Sequence, residues 1–148
     1  VSNNMNEFIV WDSVENRELK VNEFAVSKDG NIVLLKEGKI YDVRVSEGRY
    51  SLYNYIGKTD VEGNKIYVDS SIVEFVLSGS RKNFKATGYF YFFNGDLSYE
   101  FKCLAIDGKK LEVPRTDINW RDAYGKTIKI IDTIQENKLG LIGDKDGN

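Results

Sequence analysis

The stretch from Ala86 to Ile106, ATGYFYFFNGDLSYEFKCLAI, decides the fold. Ala86 to Phe93 is dense in aromatic and β-favouring side chains and shows no helical spacing. It ends at Asn94-Gly95, a dipeptide suited to the positive φ angles of a two-residue hairpin, and Leu97 to Ile106 follows as its partner strand. Successive side chains of a strand point to opposite faces, so Tyr89, Tyr91 and Phe93 share one face while Phe90 and Phe92 share the other. One face can fill a core; the other must be covered or exposed.

The pattern repeats on both sides of this hairpin. Upstream, Phe8 to Trp11, Phe24 to Val26, Ile32 to Leu35, Ile40 to Val45, Tyr50 to Tyr55 and Ile72 to Leu77 read as strands. The turns between them fall at Lys28 to Asn31, Glu37-Gly38-Lys39, Glu47-Gly48-Arg49, Asp60 to Asn64 and the polar loop Ser78 to Asn83. Downstream, Asp107-Gly108 is a further turn, Leu111 and Val113 lead to Pro114, and Ile128 to Ile134 alternates again. Thr116 to Tyr124 reads as one or two helical turns closed by Gly125, and Gln135 to Leu139 as a short helical tail. Many short strands with minor helix predict a small barrel or a curled antiparallel sheet.

Composition supports a folded domain and removes several chemistries. The chain has 148 residues, 41% hydrophobic, 30% charged and 13% aromatic, with no histidine, one cysteine and one proline. A chain of this length buries roughly two-thirds of its unfolded surface, enough for a core without disulfides. No run approaches the ~18 apolar residues of a membrane span. The missing histidine excludes Ser-His-Asp and Cys-His catalysis, histidine-containing zinc sites and histidine pH switches. Cys103, sharing a strand face with Phe101 and Ala105, reads as a small buried hydrophobe without a base to activate it.

The formal net charge of −2 is unevenly spread: residues 1–75 carry −4, 76–130 carry +4 and 131–148 carry −2. Segments of opposite sign suit steering of a partner or head-to-tail self-association, or simply keep each part solvated. The opening VSNNMNEF has no apolar secretory core and no N-x-S/T sequon occurs, so a cytoplasmic location is expected.

Local motifs that resemble catalytic signatures fail on spacing. Gly57-Lys58-Thr59 and Gly125-Lys126-Thr127 lack the glycine that a phosphate loop needs five positions earlier, where Leu52 and Trp120 stand. Asp144 to Asn148 begins like a calcium loop but has its glycine two positions too early, and it reads as a frayed end. No pair among the 23 acids is marked as catalytic, and a carboxylate hydrolase is the remotest of the readings.

Two surfaces invite a binding role. The Tyr89, Tyr91 and Phe93 face of the aromatic strand would be buried by the fold, form an oligomer interface, or stack unpaired bases beside neighbouring cations. Trp120, Arg121 and Tyr124 are residue types enriched at binding hot spots, or else a short lid whose Trp120 and Tyr124 close one end of the sheet. The basic middle region supplies Arg81, Lys82, Lys85, Lys109, Lys110, Arg115 and Lys126 for a nucleic-acid alternative.

The run YNYIGKTDVEGNKIYVDSSIVEF, residues 53–75, resembles the central signature of YopX-like proteins encoded by phages and prophages of low-GC Gram-positive bacteria. That signature has Tyr-Thr-Gly, an Asp-x-x-Gly turn, Ile-Tyr, a Gly-Asp pair and Ile-Val; Tyr55, Gly57, Asp60, Gly63, Ile66, Tyr67, Ile72 and Val73 match it. Val68 to Ser71 replaces the family's Glu-Gly-Asp and is one residue longer. Phe8 to Asp12 is similar to the family's N-terminal Phe-Arg-Ala-Trp-Asp, and Ile128 to Leu141 to its C-terminal block, retaining Ile131, Ile134, Glu136, Asn137 and Leu141. Residues 76–127 match little, and Asp132, Thr133, Gln135 and Lys138 depart from the pattern.

The resemblance implies an SH3-like barrel over residues 53–142, preceded by an N-terminal β segment over 1–52 and followed by a frayed tail over 143–148. It implies a phage or prophage origin and action in the host bacterial cytoplasm, and it carries over no catalytic residue. The expectation is therefore a mainly β, non-enzymatic protein without a cofactor or metal. It would act by binding itself or another protein of host or phage, a host-defence inhibitor being one such role. The alternative is a small nucleic-acid-binding barrel using residues 81–126.

Overall fold

The computed structural model describes residues 8–29, 31–37, 39–42, 48–92, 99–123 and 127–143. The fold is mainly β, and the chain divides into two compact units, Val1–Asn54 and Tyr55–Asn148. The division falls within one long strand, two residues beyond the boundary expected at 52/53.

In the first unit β1 (Phe8–Asp12) pairs antiparallel with both β2 (Arg17–Glu18) and the first half of β6 (Tyr50–Thr59). A meander of β3 (Phe24–Val26), β4 (Ile32–Lys36) and β5 (Lys39–Asp42) forms a separate three-stranded sheet. Val10, Leu19 and Leu34 are its buried centre, with Phe24, Ile32, Tyr50 and Leu52 packed around them.

The second unit holds the larger core. The end of β6 and β7 (Lys65–Tyr67) form a hairpin, with Gly57 at φ 89° inside an irregular stretch between Tyr55 and Thr59. Beyond it β8 (Ser71–Ser78), β9 (Asn83–Phe92), β10 (Tyr99–Ile106) and β11 (Lys109–Arg115) run as an antiparallel meander. After a 3-10 turn at Trp120–Asp122, β12 (Lys129–Thr133) returns to the edge of β8, giving the order β11-β10-β9-β8-β12. Among the described residues the ladder ends at β11 and β12, so the curled sheet is a half-barrel.

Alternation decides the core. Val73 and Phe75 from β8, Ala86 and Phe90 from β9, and Phe101 and Cys103 from β10 point to one face. Ile56, Ile66 and Val68 of the β6–β7 hairpin cover that face, together with Ile118, Trp120, Ala123 and Ile128 of the crossover before β12. The rings of Phe75 and Phe101 lie 4.8 Å apart, those of Phe90 and Phe101 5.5 Å, and Trp120 meets Phe90 edge-on at 4.9 Å. Each such pair contributes about 0.5–1.5 kcal/mol beyond the area it buries.

Two turn signals behave as their chemistry demands. Asp107 and Gly108, at φ 51° and 83°, form the two-residue turn between the paired Ile106 and Lys109. Asp60 is buried and accepts from the backbone N–H groups of Glu62 (3.0 Å) and Asn64 (2.9 Å) in the next turn, and of Ile130 (3.0 Å) in β12. One loop carboxylate thus ties the β6–β7 turn to the last strand.

Two local expectations require correction. Of the helical turns expected over Thr116 to Tyr124, the described residues 116–123 form only the single 3-10 turn Trp120–Asp122, because Asn119 caps the Arg121 N–H directly and Ile118 is drawn into the core. Gln135 to Leu139 forms turns and no helix: Asn137 adopts φ 47°, and its side chain exchanges two hydrogen bonds with the Ile142 backbone. Pro114 lies within β11, an edge strand, where proline is tolerated at positions whose N–H would face away from the neighbouring strand. The Asn94-Gly95 turn and Gly125 lie outside the described residues. Among the described residues no helix is long and apolar enough to cross a membrane.

Gly88 sits where β9 passes β10 next to an irregularity between Cys103 and Ala105. A Cβ there would lie 1.9 Å from the Lys102 carbonyl oxygen and 2.9 Å from the Cys103 Cα. Backbone cannot yield as a side-chain tip does, so Gly88→Ala is expected to destabilise the protein by about 1–3 kcal/mol or more. Gly143→Ala, in open space, serves as the neutral control. Equal thermal midpoints for the two variants would refute this account of the sheet's packing.

Candidate functional site

The core face of the sheet fixes what stands on its outer face. With Ala86 and Phe90 turned inward, Lys85, Thr87, Tyr89 and Tyr91 of β9 point outward. Lys102 is directly opposite Tyr89 on β10, and Glu100 is opposite Tyr91. The Lys102 ammonium lies 5.8 Å from the Tyr89 ring centroid and 5.1 Å from that of Tyr91. Such cation–π contacts contribute about 0.5–1 kcal/mol each at exposed sites and hold the three side chains as one array.

The irregularity after Cys103 shapes the floor beside this array. Phe101 and Cys103 are core residues and Ile106 packs on the same core, so the change of phase is absorbed between them. Leu104 and Ala105 consequently line the outer side. The segment after β12 then crosses this face. It is held by Asp132, whose carboxylate accepts from the Leu139 N–H at 2.9 Å, by the Ser70–Gln135 hydrogen bonds, and by the Asn137–Ile142 clamp.

Leu141 separates two clefts. One, about 270 Å³, lies among Tyr89, Lys102, Leu104, Lys110, Pro114 and Ile142. The other, about 250 Å³, lies among Glu74, Lys85, Thr87, Ala105, Ile131 and Leu139.

Of the residues singled out from sequence, Tyr89 and Tyr91 stand half-exposed on this face. Phe93, Tyr124 and Lys126 lie outside the described residues. Trp120 is 5% exposed, packed edge-on against Phe90 and stacked at 5.8 Å on Tyr99, so it belongs to the core and is withdrawn from any contact surface. Arg121 remains exposed, with its guanidinium 4.8 Å from the Trp120 ring and 4.0 Å from a Glu100 oxygen.

The basic set is dispersed. Arg81 and Lys82 occupy the β8–β9 loop, and Lys85 pairs with Glu74 at 3.5 Å. Lys110 faces outward opposite Ala105, whereas Lys109 stands opposite the core-facing Ile106. Arg115 forms a two-pronged pair with Asp117, both bonds 3.0 Å. Lys102, Leu141 and Ile142 were not among the residues read as candidates, although the phase of Lys102 between Phe101 and Cys103 points it away from the core.

The buried acids serve architecture. Asp12 receives Arg49 through two 2.8 Å hydrogen bonds and the N–H groups of Val14 and Glu15 at 2.9 and 3.2 Å. The Arg49 hydrogen bonds dominate, and with the backbone donors they outweigh burial and lower its pKa to about 2. Arg17 is held in turn by Glu15 and by both oxygens of Glu23, so this cleft in the first unit presents no unpaired guanidinium. At Asp60 burial raises the pKa, but the donors from Ile130, Asn64 and Glu62 together bring it below the usual carboxylate value. Cys103 is fully buried, its thiol is pushed up by burial and it donates to the Ala105 carbonyl at 3.3 Å. That setting fits a packing residue.

Compared with protein-family models, curated proteins and solved structures, the chain matches none.

A carboxyl whose folded pKa lies below its unfolded value of 3.8 stabilises the fold above that pH and loses its contribution as pH falls toward 2. Asp12 should therefore contribute about 2 kcal/mol at neutral pH, lost progressively between pH 4 and 2. Denaturant melts of the wild type and of Asp12→Asn test this. The variant should be less stable at pH 7 and approach the wild type near pH 2; a constant difference across that window would contradict the assignment.

Proposed function

We propose that this chain is a binding protein that acts through protein–protein contacts, and that the outer face around Tyr89, Tyr91 and Lys102 makes them. The observation that carries the reading is that array itself. Two tyrosines and a lysine are held together on an accessible sheet face, beside two clefts, by a core that has no use for them. Tyrosine and cationic side chains in such a setting supply large contact area at little cost in conformational freedom. The buried carboxylates and the cysteine, by contrast, are already engaged with backbone or with arginines.

The order β12-β8-β9-β10-β11, with a 3-10 turn before the returning strand, supports reading the half-barrel as the open form of a small SH3-like barrel. With the sequence resemblance to YopX-like proteins, it also favours a phage or prophage protein working in the bacterial cytoplasm on a host factor or on another copy of itself. Inhibition of a host defence is one role of this kind.

The nucleic-acid reading draws on one specific observation: tyrosines two apart on a sheet face with lysines beside them can stack unpaired bases. Against it stand the acidic net charge of −2 and the pairing of Lys85 and Arg115 with carboxylates.

Affinity capture with the wild type and with the Tyr89→Ala/Tyr91→Ala variant, with and without nuclease, tests the proposal. A protein partner retained after nuclease is expected, with recovery reduced at least about tenfold by the double substitution. Recovery of nucleic acid alone, or of partners lost on nuclease treatment, would overturn it in favour of the basic-barrel alternative.

A further inference from the structure

We infer that the cleft between β11 and the C-terminal segment takes an acidic peptide segment of a partner protein, anchored by an aliphatic side chain. This deepens the protein-binding proposal and rests on it.

Size argues first. At about 270 Å³ the cleft is smaller than the roughly 300–1,000 Å³ of small-molecule sites, and suits an anchoring side chain. Part of its lining is aliphatic: Leu104, Pro114 on β11, and Leu141 and Ile142 on the crossing segment. The Asn137 clamp on Ile142 and the Asp132 bond to Leu139 hold that segment, so the cleft exists before any partner arrives. Pre-formed walls lower the ordering cost of binding.

Charge then selects the partner. The ionic groups lining the cleft are Lys102, Lys110 and Glu112, two cations against one anion. Elsewhere on the second unit several cations are paired: Lys85 with Glu74, Arg115 with Asp117, Lys129 with Glu62 and Lys138 with Glu136. Among the described residues Lys102 and Lys110 form no ion pair. Asp69 lies within electrostatic reach of Lys102, and burial raises its pKa. Lys102 rests over Tyr89 and Tyr91, a contact that leaves ammonium donors for an incoming carboxylate. An aliphatic anchor flanked by Asp or Glu meets both requirements. A basic segment would face two lysines against the single Glu112 of the lining.

Selection of a random peptide library displayed against the immobilised full chain tests this, alongside fluorescence anisotropy with labelled oligothymidylate. Enriched peptides should carry Asp or Glu within a few residues of Leu, Ile or Val. Binding of a synthesised consensus peptide should fall at least about tenfold in Lys102→Glu/Lys110→Glu, and again in Leu141→Asp. Lys102→Gln should give an intermediate loss without reversing the local charge. Enrichment of neutral or basic peptides that Leu141→Asp still abolishes would refute the acidic specificity and leave the protein-binding reading standing. Enrichment of no peptide, with oligothymidylate bound and lost in the lysine variant, would overturn both.

Discussion

The contact between Phe75, Phe90, Phe101 and Trp120 governs the second unit. Three adjacent strands contribute one ring each, and the crossover before the last strand closes over them with the fourth. Because a strand alternates, committing Phe90 to this cluster obliges Tyr89 and Tyr91 to face the other way. The proposed contact face is therefore a geometric corollary of the core. The same cluster explains why Trp120, attractive by type as a contact residue, is unavailable: its ring completes the packing around Phe90 and Tyr99.

Departures from regularity then give the outer face its relief. Gly88 lets β9 pass close to the Lys102 backbone, and the adjoining irregularity in β10 changes the phase of alternation, turning Leu104 and Ala105 outward. Buried carboxylates fix the surrounding loops. Asp60 joins the β6–β7 turn to β12, and Asp132 draws Leu139 back across the sheet. An unsatisfied buried carboxylate would be costly, so each of these bonds constrains a segment as strongly as a hydrophobic contact does. The clefts beside Leu141 follow from those constraints.

Strand positions were largely legible because period-two alternation and turn residues act locally. Asp107-Gly108 produced its two-residue turn, and Phe90 and Tyr89 fell on opposite faces, as alternation requires. What the sequence concealed depended on distant partners. The three residues of β7 are too few to show a period, and they are strand only because Tyr67 meets Tyr55. The helix expected over Gln135 to Leu139 gave way to turns once Asn137 bonded to Ile142. Within the site, phase alone put Tyr89 and Tyr91 on the face opposite Phe90, while which of the two faces is buried came only from the packing. Lys102 became notable only through its register against Tyr89, and Leu141 and Ile142 only through the return of the chain over the sheet.

The central claim is that one strand divides its aromatics between a sealed core and an accessible face. Hydroxyl-radical footprinting of the full chain, read residue by residue by mass spectrometry, tests it directly. Tyr89 and Tyr91 should oxidise readily while Phe75, Phe90 and Phe101, each at most 1% exposed, stay unmodified. Protection of Tyr89 and Tyr91 equal to that of Phe90, or oxidation of Phe90 at their rate, would contradict the account.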